Sequence, residues 1–367
     1  MGLAIGIRRL RDEAGTAKPF VSIIVAARNE QRAIGDLLQS LVSQSYRNYE
    51  IIIVNDRSTD STAEIVRSFQ MKDQRVKLIT IDSISSGLPP KKNALTEGIH
   101  ASKGEILCFT DADCLPSNAW ITSLVSNFDE GVGVVAGYSP YDEGMLSNEL
   151  RQTFGRRLLF EFIRGEEFKG AVWSAGAIGI NLAWLCTGRN LAYRRSVFEQ
   201  VGGFEKTKMS VSGDDDLFIQ LVRRQTLWKI RYDTSPEGFV RTAPPASFGK
   251  FVQQRTRHFS AGKYFTVPMQ AFFLFFHASN LILFLGLLTV IYLPQFTQIT
   301  IISFAFKLGS DLLLTLVATY TLAGKDIRRS FHFLNFLLTE ILYVFYNTFI
   351  GPLGFVQTVR WKQDKTV

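Results

Sequence analysis

Cysteine is scarce in this sequence, with only Cys108, Cys114 and Cys186 among 367 residues. Their spacing contains no CxxC pair, which excludes a zinc site built on such pairs. An odd number of cysteines without a regular framework also argues against an oxidised, disulfide-rich secreted domain. We therefore expect three reduced thiols on the cytosolic side of the cell.

The sequence also lacks a secretory signal. A short apolar stretch precedes the arginines in MGLAIGIRRLRDEAGTAKPF, whereas a signal peptide places its basic residues first. We interpret residues 1–19 as a basic leader, either frayed or lying on a lipid surface as a short amphipathic turn.

Charged side chains are absent from residues 267–293, which would form a helix about 40 Å long. That length is enough to cross a hydrocarbon core of about 30 Å with some tilt. Two further apolar runs follow at 299–323 and 331–356. Three such runs in succession are difficult to bury in a domain of this size. We predict a membrane domain over residues 263–367 with two or three transmembrane helices.

The connections between these runs predict their orientation. Residues 294–298 carry no charge, whereas 324–330 carry three basic residues. The positive-inside rule then places the N-terminal domain in the cytoplasm, at the inner membrane. A complete third span would send the basic tail outside, against the same rule. The glycines and proline at 351–354 favour a re-entrant or interfacial third segment as the alternative.

Ionisable residues occur inside the second and third apolar runs. Lys307 and Asp311 lie four positions apart, and Glu340 lies in the third run. Such groups are costly at membrane depth, and they usually pair or line a polar path. We expect either a structural Lys307–Asp311 pair or a groove that contacts a polar head group.

Residues 20–262 alternate buried β-strands with amphipathic helices, which predicts an α/β fold with a mainly parallel sheet. Ligands of such sheets bind at the carboxyl ends of the strands, where Asp56, Asp111 and Asp113 fall. The predicted strands lie at 20–28, 49–56, 76–81 and 105–113, and the predicted helices at 31–43, around 63–66 and at 91–101.

The net charge of +8 is compatible with nucleic acid, an anionic membrane or a phosphorylated small molecule, and it does not choose among them. The motif Thr110-Asp111-Ala112-Asp113 is more specific. Two carboxylates at a sheet edge can share a divalent ion that also binds a diphosphate, although a solvated turn would look the same. Asp56 has two interpretations as well, a turn-capping acid or a hydrogen-bond acceptor for a nucleobase or ribose.

Two further motifs lie later in the chain. Ser212-Gly213-Asp214-Asp215-Asp216 precedes a helical pattern, so an aspartate there either accepts a proton in catalysis or stabilises the helix N-terminus. The segment QQRTRH at 253–258 precedes the first apolar run, and its arginines can meet a diphosphate or lipid phosphates.

Together these motifs resemble the family-2 inverting glycosyltransferases with the GT-A fold, over about residues 20–260. The resemblance is to the membrane-bound branch that includes ceramide glucosyltransferases and cellulose, chitin and hyaluronan synthases. SIIVAARNE looks like the family's first strand, VNDRSTDST like its donor-base motif, TDAD like its metal motif and SGDDDL like its E-D-x-D-L motif. Gly213 stands where that last motif has glutamate.

The resemblance implies roles for individual residues. Asp111 and Asp113 would hold Mg²⁺ or Mn²⁺, and Asp214, with Asp215 beside it, would be the catalytic base. The implied donor-binding residues are Ala27, Asn29, Glu30, Asp56, Lys91 and Asp111. The implied residues of the acceptor and diphosphate side, from GRNLAYR and the counterpart of Q-x-x-R-W, are Asn190, Arg194, Gln254, Arg257 and His258.

The resemblance therefore implies transfer of a sugar from a UDP- or GDP-linked donor, with inversion, to a lipid or glycan acceptor at the membrane, with no nucleic-acid partner. His258 replaces the tryptophan of Q-x-x-R-W, which favours single-sugar addition over processive polysaccharide synthesis, the alternative function. A sugar-nucleotide pyrophosphorylase would open with a glycine-rich loop that SIIVAARNE lacks. An inactive, membrane-tethered nucleotide-sugar-binding protein is the remote alternative.

Overall fold

The computed structural model describes residues 2–10, 18–83, 87–145, 154–322 and 333–356. Its strands are β1 (Val21–Ala27), β2 (Tyr49–Asp56), β3 (Val76–Ile81), β4 (Ile106–Phe109), β5 (Cys114–Pro116), β6 (Val132–Gly137), β7 (Leu191–Arg194), β8 (Lys229–Asp233) and β9 (Val240–Thr242). Its α-helices are α1 (Gly2–Arg9), α2 (Ile34–Val42), α3 (Thr62–Gln70), α4 (Pro90–Ala101), α5 (Trp120–Ser126), α6 (Phe154–Gly179), α7 (Arg195–Val201), α8 (Asp216–Gln225), α9 (Phe248–Ser260), α10 (Val267–Tyr292), α11 (Thr297–Leu322), α12 (Phe333–Phe349) and α13 (Leu353–Val356).

Seven of the strands form one sheet in the order β3-β2-β1-β4-β7-β6-β8, and β5 pairs with β9 separately. β1 is parallel to β2 and β4, and β2 is parallel to β3. Only β7 runs antiparallel within the seven, between β4 and β6. The predicted α/β fold with a parallel-rich sheet is thus confirmed, and the carboxyl ends of β1, β2 and β4 lie at one edge.

Helices cover both faces of this sheet, which explains why its central strands are apolar at almost every position. Every residue of β2 is buried. Because successive side chains point to opposite faces, Ile51 and Ile53 join one hydrophobic core while Ile52 and Val54 join the other. All three cysteines are buried and free, as expected.

The N-terminal leader contains a packed helix and is not frayed where the structure describes it. α1 packs against α6 and α11, and Ile7 is completely buried there. The backbones of α1 and α6 approach closely, because a Cβ on Gly6 would collide with the carbonyl of Gly176. Small residues at such a crossing let two helices touch backbone to backbone.

Three C-terminal helical segments are long and apolar enough to cross a membrane, Val267–Val290, Pro294–Leu322 and Asn335–Val356. The third differs from the others in its contacts. Near its start, the Asn335 amide donates to Glu161 of α6 at 3.3 Å. At its end, α13 packs against α9 of the N-terminal domain. Contact with the N-terminal domain at both ends favours the re-entrant or interfacial interpretation. The basic connection 324–330 and the basic tail lie outside the described residues.

The predicted Lys307–Asp311 pair is present, with 2.8 Å between Nζ and Oδ2. It belongs to a larger cluster, because Lys307 also lies 2.6 Å from Glu340 of α12. Lys169 of α6 contacts both Glu340 and Asp311. Two lysines and two carboxylates therefore join α6, α11 and α12 with balanced charge.

We expect Gly176→Ala to destabilise the protein by about 1 to 3 kcal/mol, as overpacking does. The new methyl group would lie 2.8 Å from the Leu3 carbonyl oxygen, and a backbone atom cannot move aside cheaply. Denaturant unfolding of the detergent-solubilised protein measures the effect. Gly155→Ala on the same helix is the control, because a Cβ there meets nothing within 4 Å. Equal stability of the two variants would contradict the close α1–α6 contact.

Candidate active site

Lys91 bridges two carboxylates that come from distant parts of the chain. Its Nζ lies 3.1 Å from Oδ1 of Asp111, just after β4, and 3.0 Å from Oδ2 of Asp214, just before α8. Lys91 is the second residue of α4, whose N-terminus points toward the carboxyl edge of the sheet. The fold thus brings the predicted metal motif and the predicted base to opposite sides of one ammonium group.

Burial disfavours the charged forms of Lys91 and Asp111, whereas the opposite charges beside them favour those forms. Asp111, Asp214 and Asp215 outweigh the burial of Lys91 and raise its pKa above the usual value. Burial is likewise the largest effect on Asp111, but Lys91, followed by Arg189 and Arg257, holds the pKa of that carboxyl below its usual range. Lys91 and Asp111 are therefore both ionised.

The three consecutive aspartates have different partners. Asp214 contacts Lys91, whereas Oδ2 of Asp215 accepts a hydrogen bond from the Gly188 amide at 2.8 Å. Asp215 also caps α8 by accepting from the Asp216 amide, and Asp216 accepts from the Cys186 amide at 2.9 Å. Burial, and then the charge of Asp214, raise the pKa of Asp215. The geometry thus places Asp214 at the bridge and gives Asp215 the capping arrangement.

Lys92 faces away from the site and holds the loop that precedes these aspartates. It is completely buried, and its Nζ donates to the carbonyl oxygens of Thr207 at 2.7 Å and Ser210 at 2.9 Å. Burial lowers the pKa of Lys92 to about 8. The adjacent lysines of α4 therefore have different roles: Lys91 pairs with carboxylates of the site, and Lys92 binds backbone carbonyls of the loop.

Asp111 and Asp113 fit a divalent ion that completes its coordination with phosphate oxygens and water. Asp113 is exposed and makes no ion pair with any described residue, so its carboxylate can turn toward a ligand. Within the described ranges, no group of three or more histidine, cysteine or acidic residues could hold a metal by itself. Two carboxylates are the donor set expected when the substrate supplies the remaining oxygens.

The predicted donor-side residues lie where β1 and β2 end. Asn29 has a left-handed backbone, with φ of 54°, and its Oδ1 accepts from the Thr59 amide at 2.8 Å. The Glu30 amide donates to Thr62 at 2.8 Å, so the two strand ends are tied together, with Ala27 buried beneath. Asp56 is fully buried, and the Arg57 Nε donates to its Oδ1 at 2.7 Å.

Of the predicted acceptor-side residues, the structure brings Gln254, Arg257 and His258 to the cavity beside Lys91, but not Asn190 or Arg194. The amide of Asn190 is buried and bonds to Trp120, Tyr138 and Gly238. The Arg194 guanidinium binds the carbonyls of Val132 and Asp129 and the carboxylate of Glu105. Asn190 thus supports the strand ends beside the site, whereas Arg194 pairs with Ile106 at the start of β4, at the opposite edge of the sheet.

Besides Asp216, four charged residues in the cavity wall were not predicted as site residues. Glu167 pairs with Arg189 at 2.5 Å and with Arg255 at 2.9 Å, and Glu166 pairs with Arg255 as well. Burial raises the pKa of Glu166 to about 7. Arg255 lies inside the QQRTRH segment, so the sequence offered a signal from which it could have been predicted. Glu166 and Glu167 on α6 belong to no recognisable motif.

These residues line one cavity of about 220 Å³. Lys91, Asp111 and Asp214 lie at its sheet end, and residues of α10 and α12 lie at the other. His258 lies in the wall between them, where burial and the nearby Arg257 and Arg255 hold its pKa well below the usual value. The imidazole is therefore uncharged.

Comparison with known proteins gives two family matches. A model described as Glycosyl transferase family 2 matches residues 22–202, and one described as Glycosyl transferase family group 2 matches residues 151–353. The second match covers more than half of the 367 residues. The two matches overlap on α6 and β7 and together include both the sheet and the C-terminal helices.

The chain is also similar to curated proteins. The probable glycosyltransferase YdaM of Bacillus subtilis is 28% identical over 260 residues, which are 70% of this chain and 58% of that protein. The beta-monoglucosyldiacylglycerol synthase of Nostoc sp. is 33% identical over 131 residues, which are 35% of this chain and 28% of that protein. The chain thus spans less than two thirds of either relative.

A solved structure shares the fold over most of the chain. The mannosyltransferase PcManGT from Pyrobaculum calidifontis, in complex with GDP-Man and Mn²⁺, matches with a TM-score of 0.51. The match covers 95% of this chain and 99% of that one. Because the identity is 18%, this likeness shows the GT-A fold and no more.

The pKa of Lys92 predicts a rise in stability with pH. Between pH 8 and pH 10 the unfolded chain binds a proton on this side chain and the folded chain does not, so the free energy of unfolding increases. We expect an increase of up to about 3 kcal/mol that Lys92→Met lacks. Denaturant unfolding at a series of pH values measures it.

Lys91→Met is the matched control, because the raised pKa of Lys91 leaves that side chain protonated in both states over this range. Its unfolding free energy should therefore keep the wild-type dependence on pH. A parallel dependence in wild type and Lys92→Met would show that Lys92 stays protonated when folded.

Proposed function

The chain belongs to glycosyltransferase family 2, and we propose that it moves one sugar, with inversion, from a nucleotide sugar to a lipid acceptor at the membrane. The observation that carries this proposal is the Asp111–Lys91–Asp214 bridge, at the end of a cavity that reaches the C-terminal helices. It combines a diphosphate-side carboxylate, a cation and a candidate base in one place.

We propose a UDP- or GDP-linked donor bound at the carboxyl ends of β1, β2 and β4. Ala27, Asn29, Glu30 and Asp56 would hold the nucleoside there, because the loops after β1 and β2 are cross-linked into one surface. The solved mannosyltransferase of the same fold was determined with GDP-Man. Arg257, which lines the cavity, would face the diphosphate.

Asp111 and Asp113 would hold Mg²⁺ or Mn²⁺. When bound, such an ion neutralises the charge that develops on the departing nucleoside diphosphate. Lys91 limits the repulsion between Asp111 and Asp214, so the carboxylate that faces the diphosphate and the one that faces the acceptor can approach each other.

Asp214 would act as the general base. The acceptor oxygen attacks the anomeric carbon from the side opposite the diphosphate, the carbon–phosphate oxygen bond breaks, and Asp214 takes the hydroxyl proton. Direct displacement converts an α-linked donor into a β-linked product. Asp215 would position this loop, since its carboxylate is held by two backbone amides.

The C-terminal helices support a membrane location, and we propose the inner membrane with the catalytic domain in the cytoplasm. Residues of α6, α9, α10 and α12 line the cavity that ends at Asp214. An acceptor in the lipid could therefore reach Asp214 through this cavity without leaving the membrane surface. His258 at the usual tryptophan position supports single addition, and product length distinguishes this function from processive synthesis.

Asp214→Asn should lower transfer by at least about 100-fold, the usual contribution of a general base, and leave the donor Kd within threefold. Labelled-sugar transfer and titration with the nucleotide sugar measure the two quantities. Asp215→Asn is the matched control, because asparagine also caps helices and should cost much less activity. A donor Kd weakened tenfold in Asp214→Asn would make Asp214 a binding residue instead.

Asp113→Asn should weaken metal-dependent donor binding and raise the Mn²⁺ concentration needed for half-maximal donor hydrolysis by about tenfold. The reason is the loss of one of two charged ligands. Titrations with Mn²⁺, Mg²⁺ and EDTA across UDP- and GDP-sugars measure it. Asp36→Asn, an exposed aspartate on α2, should behave as wild type. An unchanged metal titration in Asp113→Asn would exclude Asp113 as a ligand.

A further inference from the structure

The end of the cavity away from Lys91 has an apolar, aromatic wall. Beyond the charged residues its wall becomes aromatic, and the side chains come from α6, the loop before β7, α9 with the turn after it, and α10. The aromatic residues used here are Trp173, Trp184, Phe259, Phe265, Phe273 and Phe276. These side chains present a large apolar surface on which an acyl chain can pack.

The charges in the cavity disfavour an acceptor that carries a phosphate. Six carboxyl groups line it against four basic side chains, Lys91, Arg189, Arg255 and Arg257. Three of these four already contact carboxylates. Of these four side chains, only Arg257 makes no ion pair within the described ranges. In the proposed function Arg257 faces the donor diphosphate. The divalent ion proposed at Asp111 and Asp113 would likewise be engaged by the donor diphosphate. A second phosphate would therefore find no free cation and would approach Asp214, so charge complementarity favours an uncharged acceptor.

A hydrogen-bonding group lies at the helix end of the cavity. His277 of α10 lines it, and Nδ1 of this ring is 3.0 Å from the backbone carbonyl of Asn347 in α12. A carbonyl only accepts, so Nδ1 carries the hydrogen, and in that tautomer Nε2 is an acceptor. Nε2 is buried without a hydrogen-bond partner in the described part of the chain. Because His277 also lines the cavity, we take this acceptor as the partner of a donor from a ligand.

We propose that the acceptor is an uncharged hydroxy-lipid with a second hydrogen-bond donor, an amide N–H or a hydroxyl, near the start of its acyl chain. The reacting hydroxyl faces Asp214, the second donor bonds to Nε2 of His277, and the chain lies along the aromatic wall. This inference rests on the proposed function and narrows its acceptor. His277 becomes a specificity-determining residue that takes no part in the proton transfer.

The test uses the full chain in detergent with three acceptors of equal chain length where possible: an N-acyl amino alcohol, its O-acyl ester analogue and a polyprenyl phosphate. We expect kcat/KM for the amide to exceed that for the ester by about tenfold, the value of one buried hydrogen bond, and no transfer to the polyprenyl phosphate. His277→Phe, which keeps an aromatic ring, should reduce the amide-to-ester ratio to about one.

His100→Phe is the matched control, since His100 is exposed on α4 and should leave the ratio unchanged. Equal use of the amide and the ester by wild type, or an unchanged ratio in His277→Phe, overturns the contact with His277. Preference for the polyprenyl phosphate overturns the uncharged acceptor. Donor hydrolysis without transfer to any lipid overturns this inference and leaves the glycosyltransferase standing, whereas absence of donor binding overturns both.

Discussion

The ion pairs of the half-buried Lys91 hold the two acidic motifs of the site together. Asp111 and Asp214 reach the same point from the end of β4 and from the start of α8, and without a cation between them two carboxylates in a desolvated cavity would repel or lose their charge. Lys91 satisfies both and is itself held by α4, which packs against β1 and β2. The positions of the metal motif and of the base therefore depend on how one helix packs against the sheet.

A second ionic network connects this site to the C-terminal helices. Glu166 and Glu167 on α6 bind Arg255 of α9, and Glu167 also binds Arg189 in the loop before β7. The Tyr346 hydroxyl of α12 donates to Glu166 at 3.1 Å. Because Glu166 contacts both Arg255 and Tyr346, the N-terminal domain and the C-terminal helices together form this part of the cavity wall.

Periodic features of the sequence predicted the fold well. The alternation of buried strands with amphipathic helices predicted β1 to β3 and α2 to α4 close to their observed bounds, because burial on both faces leaves a strong pattern. The predicted fourth strand at 105–113 was too long, since β4 ends at Phe109. Individual roles were less predictable. Asp214 and Asp215 are the same residue type in one motif, and only their directions separate the lysine-bridging carboxylate from the helix cap. Glu166 and Glu167 gave no signal, since their partners lie far away in sequence.

The sequence by itself determined the α/β class, the apolar helices and the strand-end acids, because each depends on local spacing and on polarity along the chain. Tertiary structure alone decided which acids share Lys91, that Asn190 and Arg194 stay outside the cavity, and that α1 packs against α6. It also decided that α12 returns to the catalytic domain. These outcomes depend on contacts between residues up to 180 positions apart, such as Glu166 with Tyr346, and no local pattern encodes the direction of a side chain toward a partner at that separation.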